Sequence, residues 1–166
     1  MNNIVTDNIA RPPYFPMMID LQGKHVLIVG GGQVASRRAG TLLRCGAVIT
    51  AVSPEFCPDF PEGIERITRT FLPEDLTADF ALVIAATNSR TTNSLIHSLA
   101  RSLGIPVNVC DNQAECDFFF PSLINHDYAA ASVCTAGISA TLTRRLSDKL
   151  RKVWASWVRE AKSPVL

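Results

Sequence analysis

His25-Val26-Leu27-Ile28-Val29-Gly30-Gly31-Gly32-Gln33-Val34-Ala35 carries an apolar, β-prone run into three glycines and out into helix-forming residues. Read as G-x-G-x-x-A on Gly30, Gly32 and Ala35, the stretch is the phosphate-binding turn of a dinucleotide fold. Gly30 permits a tight exit from the strand, and Gly32 has no Cβ to block a pyrophosphate approaching the backbone. Ala35 is small enough for the helix to lie close on the strand. The pyrophosphate then sits on the amides at the helix start, where the helix dipole favours negative charge. A glycine-rich turn without a ligand is the competing reading. The strand before the glycines and the helix after them favour the binding turn.

Working outward, Lys24 to Val29 reads as a strand buried on both faces, because it is apolar without alternation. The helix from Gln33 runs to Cys45, with Val34, Ala35, Leu42 and Leu43 inward and Gly46 capping it. Ala47 to Ser53 is a second strand, and Ile64 to Phe71 a third and more polar one. Pro73-Glu74-Asp75-Leu76 starts a short helix. Phe80 to Ala86 is a fourth strand, and Thr87 to Gly104 a helix with Leu95, Ile96, Leu99, Ala100 and Leu103 inward. Ile105 to Cys110 is the fifth strand. Short joints and this order predict an α/β fold, a Rossmann-type doubly wound parallel sheet. Ligands of such sheets lie beyond the carboxyl ends of the strands. Here those ends are Gly30–Gly32, Ser53–Glu55, Ala86–Asn88 and Cys110–Asn112, which should converge on one cleft.

Flanking this core, Met1 to Pro16 reads as a proline-punctuated arm, and Met17 to Leu21 as a short extended piece. Beyond Ala114 come the aromatic corner Phe118-Phe119-Phe120-Pro121 and two β-prone pieces, Ser122 to Asn125 and Ala129 to Cys134. A helix follows with Ser139 as N-cap and an inner stripe of Leu142, Leu146, Leu150, Val153, Trp154, Trp157 and Val158. The chain thus divides into a dinucleotide-binding domain over 1–113 and a small β-β-α dimerisation and substrate segment with its C-terminal helix over 114–166. So small an apolar unit closes by pairing, which predicts a homodimer.

Of the 166 residues, 47% are hydrophobic and 19% charged, with a formal net charge of +1. That balance gives no general pull toward nucleic acid or membrane. No apolar run reaches the roughly 18 residues a membrane-spanning helix needs. The first residues lack the basic-then-apolar order of a signal peptide, so the expected location is the cytoplasm. Five cysteines without close pairs, and three scattered histidines, predict neither a disulfide framework nor a metal site. A ribose-binding acid is expected about 20 residues after the glycines. Ser53 stands at that strand end, with Glu55 two positions later and no arginine, which leaves NAD against NADP open.

Several segments together resemble one family. They are Asp20-Leu21-Gln22-Gly23-Lys24, the glycine turn through Arg38, Val52-Ser53-Pro54-Glu55 and Ile84-Ala85-Ala86-Thr87-Asn88. Val107-Asn108-Val109-Cys110-Asp111, Asp117-Phe118-Phe119-Phe120-Pro121-Ser122 and Leu142-Thr143-Arg144-Arg145-Leu146 complete the set. Their order is similar to that of precorrin-2 dehydrogenase, the oxidase module (in some members also a ferrochelatase) of siroheme synthase. The resemblance implies a homodimer that uses NAD to oxidise the tetrapyrrole precorrin-2 to sirohydrochlorin. It implies that Gly30, Gly31, Gly32, Gln33 and Val34 hold the pyrophosphate, Ser53, Pro54 and Glu55 the adenosine side, and Ala86, Thr87 and Asn88 the nicotinamide side. It matches the catalytic position with Asp111, a carboxylate suited to take up a proton. Arg37, Arg38, Arg144 and Arg145 suit a polycarboxylate substrate. Asn108 and Thr135 fall at matching substrate-side positions, Thr135 where some members carry a phosphorylated serine. Ala136-Gly137 and Ser139-Ala140 depart from the family's Gly-Gly and Ser-Pro. The alternative from another class is a non-catalytic dinucleotide-sensing module, which would need the cleft without a competent Asp111.

Overall fold

The computed structural model describes residues 14–162. In chain order the elements are β1 (His25–Val29), α1 (Gln33–Arg44), β2 (Val48–Val52) and β3 (Glu65–Ile67). β4 (Leu82–Ala85), α2 (Arg90–Leu103) and β5 (Val107–Val109) follow, then β6 (Ser122–His126), β7 (Ala129–Val133) and α3 (Ala140–Lys162). Short 3-10 turns stand at Pro73–Asp75 and Gln113–Glu115.

The first five strands form one sheet in the order β3-β2-β1-β4-β5, every pair parallel. β1 is central: Val26 lies between Ile49 and Leu82, and Ile28 between Ala51 and Ile84. Its side chains alternate between two cores. Val26 and Ile28 pack with Ala35, Ala39 and Leu42 of α1, whereas Leu27 and Val29 pack with Ile96 and Ala100 of α2. Burial of each such aliphatic side chain contributes about 1.5–3 kcal/mol. The expected doubly wound sheet is therefore the observed one.

Several details differ from the sequence reading. β3 keeps three residues rather than eight, because only Glu65 to Ile67 find partners on β2. The 87–104 helix begins at Arg90, since Ser89 takes the N-cap by accepting from the Thr92 amide at 3.2 Å. Val34, Leu95 and Leu103 lie exposed instead of inward. On α2 the buried positions are Asn93, Ile96 and Ala100, so the inner stripe starts with a polar residue. Residues 14–20 form no strand, and the first part of the expected arm, 1–13, lies outside the described residues.

The two expected β-prone pieces form β6 and β7, which pair as an antiparallel hairpin with His126 opposite Ala129, and α3 packs along both strands. Ser139 caps α3, its hydroxyl accepting from the Leu142 amide at 3.1 Å. The predicted inner stripe is corrected here: Leu142, Leu146 and Trp157 are 48%, 44% and 52% exposed. Of the same stripe Val158 is buried and Leu150, Val153 and Trp154 are half-buried, and the unpredicted Ser147 joins them on the covered face. Three hydrophobic side chains of α3 thus stand open on a unit with little interior. Among the described residues no helix is long and apolar enough to cross a membrane.

One polar clamp shapes the rim where β3 leaves the sheet. Arg69 donates to both carboxylate oxygens of Asp75, at 2.7 and 2.5 Å, and the Leu72 amide donates to Asp75 at 2.8 Å. The Arg69 guanidinium, ahead of the Leu72 amide, holds the Asp75 carboxyl below its usual pKa. A carboxylate with a lowered folded-state pKa stabilises the fold above its ordinary value of 3.8, and that contribution is lost as pH falls through the lowered one. Asp75→Asn should therefore melt below wild type at neutral pH. In thermal unfolding followed by circular dichroism, the gap should close as pH drops below about 4.

Candidate active site

A cleft of about 770 Å³ opens at the carboxyl ends of β1, β2 and β4, lined by Gly30–Gly32, Ser53–Glu55 and Ala86–Asn88. The three glycines do different work. Gly30 has φ +126°, and a Cβ there would drive into the Ala86 carbonyl. A Cβ on Gly31 would strike the Glu55 carbonyl. Gly32 meets nothing within 4 Å of its would-be Cβ, so it keeps the approach to the start of α1 open. The amides of that first turn have no carbonyl one turn earlier to bond. An open, side-chain-free cradle on a helix N-terminus fits a pyrophosphate. Gln33 is on neither wall described here, and the Val34 side chain lines a different cleft. What these two positions offer the turn is backbone.

The other two walls are held from behind. The buried Ser53, on the cleft lining, donates its hydroxyl to the Glu55 carbonyl at 2.7 Å and so shapes the 53–55 turn. Asn93, fully buried on α2, grips Thr87 three ways. Its side-chain oxygen accepts from the Thr87 amide at 3.2 Å and the Thr87 hydroxyl at 2.7 Å. Its amide nitrogen donates to the Thr87 carbonyl at 3.1 Å. Sequence reasoning passed over Asn93. The available signal was a polar residue in phase with Ile96 and Ala100 on an apolar stripe.

Cys110–Asn112, expected in the same cleft, lines a second one of about 900 Å³, together with the hairpin and the start of α3. The single-cleft expectation is thus corrected to two, because β5 is followed by the second unit, whose residues build a wall of their own. Arg37, Arg38, Asn108, Asp111, Thr135 and Arg144 all line this second cleft, whereas Arg145 does not. Arg151 does, and was not foreseen. Its guanidinium donates to the Ser122 hydroxyl at 2.9 Å, a contact across 29 residues of chain.

Arg38 is the cation set deepest in that wall. It donates to the side-chain oxygen of the buried Asn108 and stacks over the Phe120 ring at 5.1 Å. Asn108 in turn donates to the Phe118 carbonyl at 2.7 Å. Burial pulls the Arg38 pKa below its usual value. No carboxylate pairs with it among the described residues. A weakly hydrated guanidinium held this way suits an incoming carboxylate.

Asp111 is the one acid on the lining. Its carboxylate accepts from Arg90 at 2.6 Å. The neighbouring turn is capped by Asn112, which accepts from the Ala114 amide at 3.1 Å. Asp117 has a structural task, accepting from the Val107 amide and from Arg101, each at 3.0 Å. Burial pushes the Cys110 thiol up to about 11 and raises that of Cys116, which keeps both thiols protonated at neutral pH. Among the described residues no group of three His, Cys, Asp or Glu side chains is placed to hold a metal ion.

Residues 17–122 match a family model described as "Putative NAD(P)-binding". The siroheme synthase of Photorhabdus laumondii is 39% identical over 148 residues, 86% of this chain and 31% of that protein. Siroheme synthase 2 of Aeromonas hydrophila is 41% identical over 143 residues, 84% of this chain and 30% of that one. The chain spans about 30% of the length of these curated relatives. A solved structure described as "SirC, precorrin-2 dehydrogenase" superposes with a TM-score of 0.67, at 24% identity over 88% of this chain and 76% of that one. It shares the fold. The family resemblance carried by the motifs is borne out.

The glycine geometry separates folding from binding. Gly30→Ala should cost about 1–3 kcal/mol or more of stability in urea unfolding, from backbone strain and the Ala86 clash. Gly32→Ala should leave stability within about 1 kcal/mol, yet weaken dinucleotide affinity measured by calorimetry. The thiols give a second check. At pH 8 the exposed Cys134 should react with Ellman's reagent while Cys110 stays silent until the protein is unfolded.

Proposed function

The chain belongs to the NAD(P)-binding family whose model spans residues 17–122, and from that footing we propose that it is an NAD-dependent dehydrogenase oxidising precorrin-2 to sirohydrochlorin. The observation that carries this reading is a pyrophosphate-fitted glycine turn beside a cation-lined cleft holding one carboxylate. The names of the curated relatives and of the fold neighbour support the substrate. The non-catalytic reading required a cleft lacking its carboxylate, and Asp111 lines the cleft.

When bound, the dinucleotide supplies the acceptor for the hydride that the oxidation releases. The remaining work belongs to the chain. Gly32 and the first turn of α1 seat the pyrophosphate, and Thr87, locked by Asn93, shapes the wall on the nicotinamide side. Glu55, exposed on the cleft lining, places negative charge where an NADP 2′-phosphate would be repelled, which favours NAD. Arg37, Arg38, Arg144 and Arg151 offer charge-assisted bonds to the carboxylates around a tetrapyrrole. Asp111 takes the proton that leaves the macrocycle as the hydride departs, so two hydrogens and two electrons are removed in all. The proposed reaction is the oxidation alone.

A homodimer follows from the same reading, with the open face of Leu142, Leu146 and Trp157 as the surface that pairing covers. We place the division between dinucleotide-binding and dimerisation segments at 113–114, between the parallel sheet and the hairpin. Five free cysteines fit a reducing cytoplasm.

With precorrin-2 and NAD under anaerobic conditions, wild type should form sirohydrochlorin and NADH in equal amounts. Asp111→Ala should lower turnover by about 100-fold or more while leaving NAD affinity within about twofold. Normal turnover in this variant would remove Asp111 from the mechanism.

A further inference from the structure

Arg90 opens α2 two residues after Asn88, which lines the dinucleotide cleft, yet its side chain ends in the other cleft's machinery. One terminal nitrogen donates to Asp111 at 2.6 Å, and the other to Glu115 and, at 2.7 Å, to the Ser94 hydroxyl. The Nε donates to the same hydroxyl at 3.3 Å. Glu115 is itself held, because Asn112 donates to its second oxygen at 3.0 Å. Asn112, Glu115, Arg90 and Asp111 are thus linked in series by side-chain bonds, those of Arg90 spanning 21 and 25 residues of sequence.

An isolated exposed ion pair contributes little. This one differs in geometry. All three guanidinium nitrogens are engaged, and two partners on fixed elements hold the planar fork so that the third edge meets Asp111. Asp111 itself sits in a turn, partly exposed, and Arg90 is the side chain that the structure gives it as a partner. A carboxylate that must meet a proton at one point on a large planar substrate needs that restraint, since a misplacement of about 1 Å can cost about 100-fold in rate.

We propose that Arg90 is a positioning residue, which ties the start of α2 to the catalytic carboxylate and fixes Asp111 for proton transfer. This rests on the reading of Asp111 as the proton acceptor. Because Arg90 follows directly on the Thr87–Asn88 wall that Asn93 braces, the same element lines the dinucleotide cleft and holds the carboxylate.

The test is a double-mutant cycle on the full chain, with precorrin-2 and NAD as probes. Arg90→Ala should lower kcat by about 10-fold or more, with NAD affinity and the thermal midpoint little changed. Arg90→Lys, which keeps the charge and loses the fork, should remain impaired, and Glu115→Gln should fall between it and wild type. Added guanidinium ion should restore part of the Arg90→Ala turnover. The Arg90→Ala, Asp111→Ala pair should be no slower than Asp111→Ala alone, because both act through one carboxylate. A role confined to stability would show neither guanidinium rescue nor this non-additivity. Wild-type kcat in Arg90→Ala, or losses that multiply in the double variant, would overturn the proposal and leave Asp111 in place. Normal turnover in Asp111→Ala would instead overturn the reading of Asp111, and the role of Arg90 with it.

Discussion

Parallel neighbours in a sheet cannot be joined by a tight turn, and most of this molecule follows from that constraint. Each return from β1 to β2 or from β4 to β5 must cross a face of the sheet, and α1 and α2 make those crossings on opposite sides. The carboxyl ends of the strands then all lie along one edge. Between β1 and β4 the strand order reverses, and neighbouring loops part there to leave a crevice. The glycine turn, the Thr87 loop and Asp111 share that edge because topology leaves nowhere else for the loops that follow β1, β4 and β5.

What was readable in advance divides along a physical line. Val26 to Val29 and Leu82 to Ala85 are apolar without alternation, as strands covered on both faces are, and with the order of elements and their short joints the sheet could be read in advance. The glycine turn was legible because its neighbours along the chain define it, whereas Asp111 was singled out by the family resemblance. Arg90, Asn93 and Arg151 were not. The partners of Arg90 and Arg151 lie 21 and 29 residues away in the chain. Asn93, by contrast, grips Thr87 only six residues back and showed itself solely as a polar residue in phase with an apolar stripe. The face of α3 failed for a related reason. Leu142, Leu146 and Trp157 show helical spacing as an inner stripe would, but periodicity marks an apolar face without saying whether this chain covers it.

Arg38 shows how the second cleft carries charge without collapsing on it. A buried cation is ordinarily neutralised by an acid, and here a neutral amide and an aromatic face hold it instead. That arrangement satisfies the geometry of the guanidinium while leaving its charge uncompensated, which keeps the cleft wall receptive to an anion. Asn108 makes this possible because it is anchored at its other end to the Phe118 carbonyl and does not yield. The aromatic corner after β5, which looks like simple core in the sequence, is therefore part of the site's electrostatics.

The unequal duties of the three glycines bear on how such a domain would erode. Gly30 and Gly31 are held in place by carbonyls of the protein itself, at Ala86 and Glu55, so any descendant that keeps the sheet must keep them. Gly32 answers to nothing in the polypeptide. In a lineage released from its dinucleotide, genetic drift would reach that third position first, while the doublet persisted as a fossil of the fold. Between a working copy and a relic, the informative letter of the motif is its last glycine.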